Sequence, residues 1–388
     1  MRVALFTETY VPYINGVVTH VKILKEGLEE LGHEVLVVTA DDSTRRHYVK
    51  NGVLHCPARH FKRFYNYSVS NAISQRRLKF IRDFHPDIIH IHNEFGIGLS
   101  GIAAAKILKV PLVYTLHTMY DDYLYYIAPS KMMWLAKKVA HHYIRFLGNS
   151  ATALTGPSKK CQEYFKMVGV RKDVSVIPNS VELDDFDPDK ITTEQRRAFR
   201  EKYGFSEDVM IACFVGRLGK EKSVDVLLDY WAKTIRPEDR IMLCIIGGGP
   251  SSDDLKAQAK ELGIESMVVF TGAIPHTEMP PCYASCDIYV TASLSENHSI
   301  SMLEGMASGL PVLQRYDELN EDQIISGVNG YTYNSPEEMA DELRRIRQMS
   351  KEELTILKKS VISSVRRSGA EALANYTLNV YQKIIKKP

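Results

Sequence analysis

The sequence has no long apolar run, and this absence excludes a membrane-spanning protein. Among its 388 residues, no stretch offers the about 20 consecutive apolar residues that a membrane-spanning helix needs. The start, Met1-Arg-Val-Ala-Leu-Phe, has the pattern of a strand followed by polar residues. A signal peptide instead has a charged, then an apolar, then a small-residue segment. We therefore expect a cytoplasmic chain.

Cysteine is scarce and scattered. Of the six cysteines, the two nearest in sequence are Cys282 and Cys286, and the three residues between them fit neither the usual zinc spacing nor the usual redox spacing. We predict that all six are reduced. The chain also lacks internal repeats and low-complexity segments. Its hydrophobic content of 45% suits two domains of ordinary size, each with its own core.

Apolar strands alternate regularly with helical patterns, which predicts a doubly wound α/β architecture. The helical patterns Val18–Leu31 and Ser100–Leu108 have the length of crossover helices on a parallel sheet. Prolines and acids in 178–189 interrupt the alternation, which resumes at Val209, and this segment is the predicted linker. The strands predicted in the first half are Val3–Phe6, Glu34–Thr39, Ile88–His92, Leu112–Leu116 and Thr152–Thr155.

Two carboxylates, Glu296 and Glu304, flank a predicted strand-to-helix turn in the second half. The helix is predicted from Ile300 to Ser308, and the free N–H groups around Ser299 and Ile300 would attract a phosphate. Seven residues separate the two acids, a spacing that places both on one ligand. Alternatively, Glu296 caps the helix and Glu304 is a solvated helix residue.

Two cations follow a strand that ends on glycine. Gly216 closes this strand, Arg217 comes next and Lys222 follows five residues later. Arginine grips phosphate oxygens with a planar fork and lysine acts as a point charge, so the pair suits a diphosphate. The alternative is two surface cations. Gly248, in a second glycine cluster after the strand 241–246, belongs to the same predicted crevice.

These motifs resemble the family-4 retaining glycosyltransferases of GT-B fold, and the resemblance covers essentially the whole chain. It implies that Arg217 and Lys222 hold the donor diphosphate, Glu296 lies by the transferred sugar and Glu304 binds the ribose hydroxyls. The N-terminal half matches as well. Its opening strand and glycine loop contain Gly16, and Tyr114-Thr-Leu-His117-Thr is similar to the strand end that carries the family's active-site histidine.

The resemblance also implies the domain organisation. It predicts an α/β fold of two Rossmann-like doubly wound domains facing each other across a cleft. Residues 1–178 would form the acceptor and membrane-facing domain, and residues 179–370 the nucleotide-sugar domain. A C-terminal helix, 371–388, would pack back on the first domain.

Within the family, the bacterial diacylglycerol glucosyltransferases are the most similar, on Phe6-Thr-Glu-Thr-Tyr, Ile91-His-Asn-Glu-Phe and Tyr114-Thr-Leu-His117-Thr-Met-Tyr-Asp-Asp-Tyr. This implies transfer of a hexose, glucose in the first instance, from a UDP-sugar to 1,2-diacylglycerol with retention of configuration. It implies no cofactor and no metal. His298 and Ser299 stand where the family usually has an apolar residue or glutamine followed by glycine, so the identity of the sugar stays open.

The near-neutral net charge of +2 hides an asymmetry. Residues 1–180 hold 24 Lys and Arg against 14 Asp and Glu, whereas residues 181–388 hold 25 against 33. Residues 43–82 contain ten basic residues and no acid, interleaved with aromatic residues. An anionic bilayer or a nucleic acid would suit such a run. The ten are Arg45, Arg46, Lys50, Arg59, Lys62, Arg63, Arg76, Arg77, Lys79 and Arg82.

A helical pattern over Ser130–Leu147 also mixes bulky apolar residues with cations. No nucleic-acid-binding module accompanies these segments, so we expect no nucleic acid and a peripheral position on the inner face of the cell membrane. Alternatively, Trp134 and Phe146 are core residues of this helix and its cations a solvated face.

Three further motifs resemble ligand or metal sites but are explained at least in part by structure. The glycines of Gly96-Ile-Gly-Leu-Ser-Gly101 match a dinucleotide fingerprint, but no acid ends the next strand, so helix packing explains them better. The Asp-x-Asp matches in 185–189 lie in the linker, and we expect no metal there. His90 is predicted to be a bonded core histidine, whereas His92 and Glu94 would line the acceptor cleft.

Two rival functions stay open at this level. One is a retaining transferase for a soluble sugar or sugar-phosphate acceptor, which the basic first half would also suit. The other is a catalytically silent scaffold that binds a nucleotide sugar. An enzyme is favoured because all five predicted site residues with a charged or polar side chain are present together: His117, Arg217, Lys222, Glu296 and Glu304.

Overall fold

The computed structural model describes residues 1–13, 15–61, 67–126 and 128–385, which leaves Lys62 and Arg63 of the basic run outside the described residues. The chain divides into two compact units. Unit 1 comprises Met1–Ser180 together with the segment from Ala370 onward, and unit 2 comprises Val181–Gly369. The boundary thus falls two residues after the position expected from the sequence.

Fifteen strands are assigned among the described residues: β1 (Arg2–Thr7), β2 (Glu34–Asp41), β3 (Tyr48–Lys50), β4 (Val53–Phe61), β5 (Tyr67–Ser70), β6 (Ile88–Ile91), β7 (Leu112–Thr115), β8 (Ala153–Gly156), β9 (Val174–Val176), β10 (Met210–Val215), β11 (Ile241–Ile246), β12 (Val268–Gly272), β13 (Ile288–Thr291), β14 (Val312–Arg315) and β15 (Gly330–Tyr333). The α-helices of the same residues are α1 (Gly16–Glu30), α2 (Gln75–Phe84), α3 (Gly96–Leu108), α4 (Met133–Ser150), α5 (Lys159–Met167), α6 (Thr193–Tyr203), α7 (Val224–Thr234), α8 (Ser252–Glu261), α9 (Met279–Ala284), α10 (Ile300–Ala307), α11 (Pro336–Arg347), α12 (Lys351–Val365) and α13 (Ala370–Ile385).

The sheet of unit 1 has the order β3-β4-β2-β1-β6-β7-β8-β9, with β5 paired to β4. From β4 to β9 along this order every pair is parallel, and only β3 and β5 run antiparallel, both against β4. Residues 3–7 of β1 are all buried because helices cover both faces of a parallel sheet. The apolar strands found in the sequence are therefore the central strands of this sheet.

α13 returns to unit 1 and packs on α1. Leu373, Ala374 and Tyr381 lie in the same apolar cluster as Val21 and Leu24. The two helices come so close that a Cβ atom on Gly27 would lie 2.4 Å from the carbonyl oxygen of Ala370. The C-terminal helix is thus part of the core of unit 1.

The sheet of unit 2 has the order β12-β11-β10-β13-β14-β15, and all its pairs are parallel. Trp231 of α7 is fully buried in one of its two apolar clusters. The other cluster holds the buried thiols of Cys213, Cys244, Cys282 and Cys286, and all six cysteines of the chain are free. Both units therefore have the doubly wound α/β form that the sequence predicts.

The basic run 43–82 does not present all ten of its predicted membrane-binding cations to solvent, because Arg77 is buried. Its described part forms β3, β4, β5 and α2. Arg77 is only 1% exposed, and its guanidinium donates to the Asn71 carbonyl at 2.8 Å and to Ser70 Oγ at 2.6 Å. Its inclusion among the surface cations is wrong, because these contacts and burial make it a structural residue. Arg76, Lys79 and Arg82 are exposed and, three residues apart on α2, share a face.

α4 presents apolar side chains to solvent, so the interpretation of Trp134 and Phe146 as core residues is wrong. Trp134 is 68% exposed, Val139 62% and Phe146 53%. Met132, Leu135, Val139 and Phe146 follow one another at intervals of three, four and seven residues and so form one stripe. Over the described part of the chain, no helix combines the length and apolarity that crossing a bilayer requires.

Candidate active site

In each sheet the chain reverses its direction of winding between two neighbouring strands, and ligands of open α/β sheets bind outside the carboxyl ends of such strands. In unit 2 these strands are β10 and β13. Arg217 and Lys222 follow β10, and Glu296 follows β13. The topology thus places three of the four predicted catalytic residues at one switch point.

Lys222 and Glu296 form an ion pair, with 2.6 Å between Lys222 Nζ and Glu296 Oε1. Their side chains are 17% and 19% exposed, so the pair is partly shielded from water and strengthened accordingly. Arg217 is exposed at the end of β10. The two cations therefore differ, since one is held by a carboxylate and the other lies on the surface of the turn.

The glycine cluster after β11 brings two backbone turns into contact. A Cβ atom on Gly247, whose φ is 144°, would lie 1.9 Å from the carbonyl oxygen of Gly216. A Cβ atom on Gly249 would lie 2.4 Å from the carbonyl oxygen of Leu218. At Gly248 the nearest atom would be 3.5 Å away. Gly216 and Gly248 are the glycines predicted for this crevice, but the close approach depends on the absence of a side chain at Gly247 and Gly249.

The turn before α10 is fixed by hydrogen bonds. Ser299 is the N-cap residue, and its Oγ accepts from Met302 N at 3.4 Å. Ser301 Oγ donates to the Val215 carbonyl at 2.9 Å and so ties α10 to the end of β10. Ile300 begins the helix as predicted. The backbone around Ser299 and Ile300 is therefore presented beside the turn that carries Arg217.

Glu304 is not the solvated helix residue of the alternative interpretation. It is buried, its Oε1 lies 2.9 Å from His276 Nε2, and its Oε2 accepts from Tyr283 OH at 3.0 Å. The hydrogen bond to Glu304 raises the pKa of His276 above its usual value. No local sequence pattern indicates His276, because it lies in a short turn before α9, far in sequence from Glu304.

Two amide side chains hold the loop between Glu296 and Ser299. Asn320 Nδ2 donates to the Glu296 carbonyl at 2.5 Å, and Gln323 Nε2 donates to the Asn297 carbonyl at 2.8 Å. Burial lowers the pKa of His298 to about 4. A neutral imidazole therefore stands at the position where the sequence departs from the family pattern. Asn320 and Gln323 are not among the site residues predicted from the sequence.

In unit 1 the predicted active-site histidine, His117, belongs to a cluster of imidazoles. His117 follows β7, His92 follows β6, and the two contact through His92 Nδ1 and His117 Nε2 at 3.1 Å. His20 of α1 lies edge-on to His117, with 4.7 Å between ring centroids. Burial lowers the pKa of His20 to about 4 and those of His92 and His117 well below the usual value.

His90 behaves as predicted for a core histidine. It is buried, with Nδ1 at 2.7 Å from Tyr381 OH and Nε2 at 2.6 Å from Thr115 Oγ1. Glu94 does not line an open cleft, because it is buried and accepts from Tyr114 OH at 2.9 Å and Tyr120 OH at 2.5 Å. Burial raises the pKa of Glu94 to about 7.

The start of α3 is closed to phosphate by a side chain of the protein itself. Both carboxyl oxygens of Glu8 accept from Ile97 N, at 3.0 and 2.9 Å. Burial raises the pKa of Glu8 to about 8, although the Ile97 hydrogen bond acts in the opposite direction. A Cβ atom on Gly96 would lie 1.7 Å from the Ser70 carbonyl oxygen. The glycines of this motif therefore serve packing, as predicted.

The start of α1 has no such carboxylate in the first turn. Gly16 opens the helix and is exposed, and the Asn15 side chain caps it by accepting from Val18 N at 2.9 Å. This is the turn that follows β1, at the switch point of the unit 1 sheet where β1 lies between β2 and β6. Gly16 therefore lies at the edge of the sheet outside which open α/β sheets commonly bind ligands.

Comparison with known proteins agrees with this geometry. A family model described as Glycosyltransferase Family 4 matches residues 14–185, and one described as Glycosyl transferases group 1 matches residues 195–363. An alpha-monoglucosyldiacylglycerol synthase of Acholeplasma laidlawii is 32% identical over 100% of this chain and 98% of its own length. A second synthase of that name, from Streptococcus pneumoniae, is 31% identical over 88% of this chain and 77% of its own length.

A solved structure shows the same fold. Anabaena HepE in complex with UDP and glucose superposes with a TM-score of 0.72 at 18% identity, covering 99% of this chain and 100% of that one. Both halves of the chain match glycosyltransferase family models. The chain belongs to the family-4 glycosyltransferases of GT-B fold.

Proposed function

We propose that this glycosyltransferase moves glucose from UDP-glucose to 1,2-diacylglycerol at an anionic membrane surface, with retention of configuration and without a metal ion. The observation that carries the lipid acceptor is the exposed apolar stripe of α4, in a chain that matches alpha-monoglucosyldiacylglycerol synthases. The donor, the acceptor and the stereochemistry are each tested below.

Unit 2 supplies the groups for the donor. In the proposed reaction the bond between the anomeric carbon and the diphosphate oxygen breaks, and negative charge grows on the diphosphate. The anomeric carbon forms a bond to the hydroxyl oxygen of diacylglycerol on the same face, and the hydroxyl proton passes to the departing diphosphate oxygen. Arg217, Lys222 and the N–H groups near Ser299 and Ile300 stabilise this charge. Because these cations already do the work of a metal ion, we expect turnover without one.

The ion pair of Lys222 with Glu296 gives each partner a second task. Glu296 holds the Lys222 ammonium, with 2.6 Å between Glu296 Oε1 and Lys222 Nζ. When the sugar binds, the remaining carboxylate oxygen of Glu296 accepts from sugar hydroxyls. Glu304, oriented by His276 and Tyr283, accepts from the ribose hydroxyls in the same way.

Unit 1 contributes His117 and the turn at Gly16. His117 is only partly buried, whereas its neighbours His20 and His92 are buried, so it is the imidazole of the cluster that a sugar reaches. It is neutral at pH 7 because burial keeps its pKa low. A neutral imidazole both donates and accepts, and it orients a sugar hydroxyl without adding charge beside the anomeric carbon.

The surface of unit 1 suits a bilayer that contains anionic lipid. The stripe of α4 offers Val139 and Phe146, whose burial in the interface contributes about 1.5–3 kcal/mol each. Lys131 and Lys138 flank the stripe and are exposed. On α2 the exposed cations Arg76, Lys79 and Arg82 add electrostatic attraction of about 1 kcal/mol each near an anionic surface.

The test is a measurement of UDP release from UDP-glucose, with vesicles that contain or lack 1,2-diacylglycerol. We expect release to depend on diacylglycerol and on anionic lipid. The glycolipid product is analysed by proton NMR, and an α-linkage from the α-configured donor demonstrates retention.

Three outcomes would contradict the proposal. Equal release without diacylglycerol and with a soluble sugar or sugar phosphate points to a soluble acceptor. A β-linked product overturns retention. UDP binding with no release on any acceptor points to a scaffold protein.

A further inference from the structure

Three imidazoles of unit 1 converge on a small volume. One ring nitrogen from each of His20, His92 and His117 lies within 4.8 Å of the others, and this group stands out among the described residues as one that could hold a metal ion. The rings come from α1 and from the carboxyl ends of β6 and β7. Because the sheet and the helix fix their positions, the convergence is built into the fold of one unit.

The orientation of His20 is set by a partner outside the cluster. Its Nδ1 lies 3.0 Å from Asn179 Oδ1. An amide oxygen only accepts, so Nδ1 of His20 carries the proton and Nε2 keeps its lone pair. Metal-binding histidines are commonly held in this way, with one nitrogen bonded to an oxygen and the other directed at the ion.

His92 directs one nitrogen at His117 and the other away from it. The ring is fully buried, its Nδ1 lies 3.1 Å from His117 Nε2, and in the part of the chain that the structure describes its Nε2 has no hydrogen-bond partner. The two nitrogens of an imidazole point to opposite sides of the ring, so Nδ1 is the nitrogen that faces His117. With its proton on Nε2, the ring presents the lone pair of Nδ1 to the cluster.

We propose that His20, His92 and His117 form a binding site for a transition-metal ion of the zinc class. Imidazole nitrogens favour zinc, copper, nickel and iron over magnesium and calcium. Zinc–nitrogen bonds of about 2.0–2.1 Å place tetrahedral ligands about 3.3 Å apart, so the rings close by roughly 1 Å on binding. Three protein ligands leave the fourth position to water. His117, which is partly exposed, provides the entry path.

The ion is an inhibitor of transfer, not a participant. It takes the lone pair of His117 that the proposed reaction uses for the sugar. This consequence rests on the proposed function, whereas binding of the ion does not. Metal occupancy would thus block the proposed role of His117 in unit 1 and leave donor binding in unit 2 intact.

Binding is tested on the full chain, freed of metal and titrated with Zn²⁺ against a chromogenic indicator. We expect one ion per chain. His92→Gln and His20→Gln should weaken binding at least 100-fold, because each removes a ligand. Asn179→Ala should weaken it about tenfold, since it only releases His20. His142→Gln, at an exposed histidine of α4, is the matched control and should bind like the native chain.

Two results would overturn the site. One is Zn²⁺ binding that His20→Gln and His92→Gln leave unchanged, and the other is no tight equivalent in the native chain. If a variant fails to fold, X-ray absorption of the native zinc-bound chain decides instead. Three nitrogen neighbours of imidazole type at about 2.0–2.1 Å support the site, and sulfur or all-oxygen neighbours refute it.

The effect of Zn²⁺ on enzyme activity is measured in a separate experiment. Zn²⁺ should halve UDP release at the concentration that half-fills the site, and a chelator should restore the rate. Absence of transfer with every acceptor would refute the proposed function while the titration still judges the metal site. Full activity at saturating Zn²⁺ would refute inhibition.

Discussion

The two units share a doubly wound parallel topology, but the side chains at their strand ends differ in charge. At the unit 2 switch point the strand ends carry charges, with Lys222 and Glu296 paired at 2.6 Å. At the corresponding place in unit 1 the strand ends carry neutral imidazoles. The nearby carboxylate of Glu8 accepts hydrogen bonds from Ile97 N at the start of α3. The same strand ends can therefore serve a charged diphosphate in one unit and an uncharged group in the other.

The sharpest test of this contrast is the removal of a unit 2 charge. Arg217→Ala should lower kcat about 100- to 1000-fold, the usual cost of losing one preorganised donor to a developing anion. Steady-state kinetics of UDP release measure it. Lys220→Ala, which changes an exposed cation three residues further along, is the control. A rise in KM with kcat within a few fold of native would assign Arg217 to donor binding alone.

The surface of unit 1 is basic although its switch point is neutral, so its charge should act on the membrane. Changing Arg76, Lys79 and Arg82 together to serine removes roughly 3 kcal/mol of attraction, or about 100-fold in vesicle affinity. Sedimentation with phosphatidylglycerol-rich vesicles measures the loss, and rising salt should reproduce it in the native chain.

A matched triple change in unit 2, of Lys256, Lys260 and Lys351 to serine, removes the same charge from exposed positions there. We expect it to leave vesicle affinity within a few fold of native. Equal losses from both triple variants would mean that net charge, not the α2 face, drives binding. Equal binding to zwitterionic vesicles would remove the electrostatic argument.

The buried imidazoles of unit 1 should lower the free energy of unfolding of this unit as pH falls. In the folded chain the pKa of His20 is about 4. As pH falls from 6.5 toward 4, His20 therefore binds a proton in the unfolded chain but not in the native chain. At pH 5 this lowers the free energy of unfolding by roughly 2 kcal/mol for this ring alone. Hydrogen exchange of α1 amides, compared between the native chain and His20→Gln, measures it.

That comparison isolates the His20 ring because the native chain and His20→Gln share every other group with a shifted pKa. His92 and His117 act in the same direction as His20, because their pKa values are also lowered. Glu8 and Glu94 act in the opposite direction, because their pKa values are raised and their contributions fall as pH rises through the neutral range. An identical loss of protection in the native chain and in His20→Gln between pH 7 and pH 5 would contradict the assignment.

The stability of unit 2 should depend on the protonation of His276, with the opposite sign to the effect of His20 on unit 1. Of the effects predicted here, this one should be the smallest. Glu304 raises the pKa of His276, so this pair stabilises unit 2 below about pH 6.5 and the contribution is lost as pH rises through the raised value. A third of the His276 side chain is exposed, which limits the effect to below about 1 kcal/mol.

Exchange of α10 amides between pH 6 and pH 8 measures this contribution, with His276→Gln as the variant that should lack it. Tyr283→Phe keeps the ion pair and removes only a neutral hydrogen bond, so its pH dependence should match that of the native chain. A flat native profile would show that the pair contributes nothing to stability.

Local pattern predicted the central strands because parallel strands are apolar over their whole length. It failed where a distant residue decides the outcome. α3 begins at Gly96 rather than at Ser100 because Glu8, 89 residues before Ile97, binds the first turn. Arg77 looked like its nine basic neighbours, and only Ser70 and Asn71 make it a core residue.

The site followed the same rule. Lys222 and Glu296 were found because each follows a strand, and parallel strand ends share one edge of a sheet. His20, His276, Asn320 and Gln323 were missed because they act through contacts between elements that are not neighbours in sequence. In the glycine cluster the sequence drew attention to Gly248, whereas backbone proximity makes Gly247 and Gly249 the constrained positions.

The placement of the two tryptophans has a practical consequence. The chain contains only Trp134 and Trp231, one in each unit and in opposite environments, since Trp134 is 68% exposed and Trp231 is fully buried. Their emission spectra should differ in colour without any label. A blue shift of the Trp134 band on adding vesicles would report contact with lipid, and a red shift of the Trp231 band in denaturant would report opening of the unit 2 core. The protein thus carries one built-in fluorescent probe for each half.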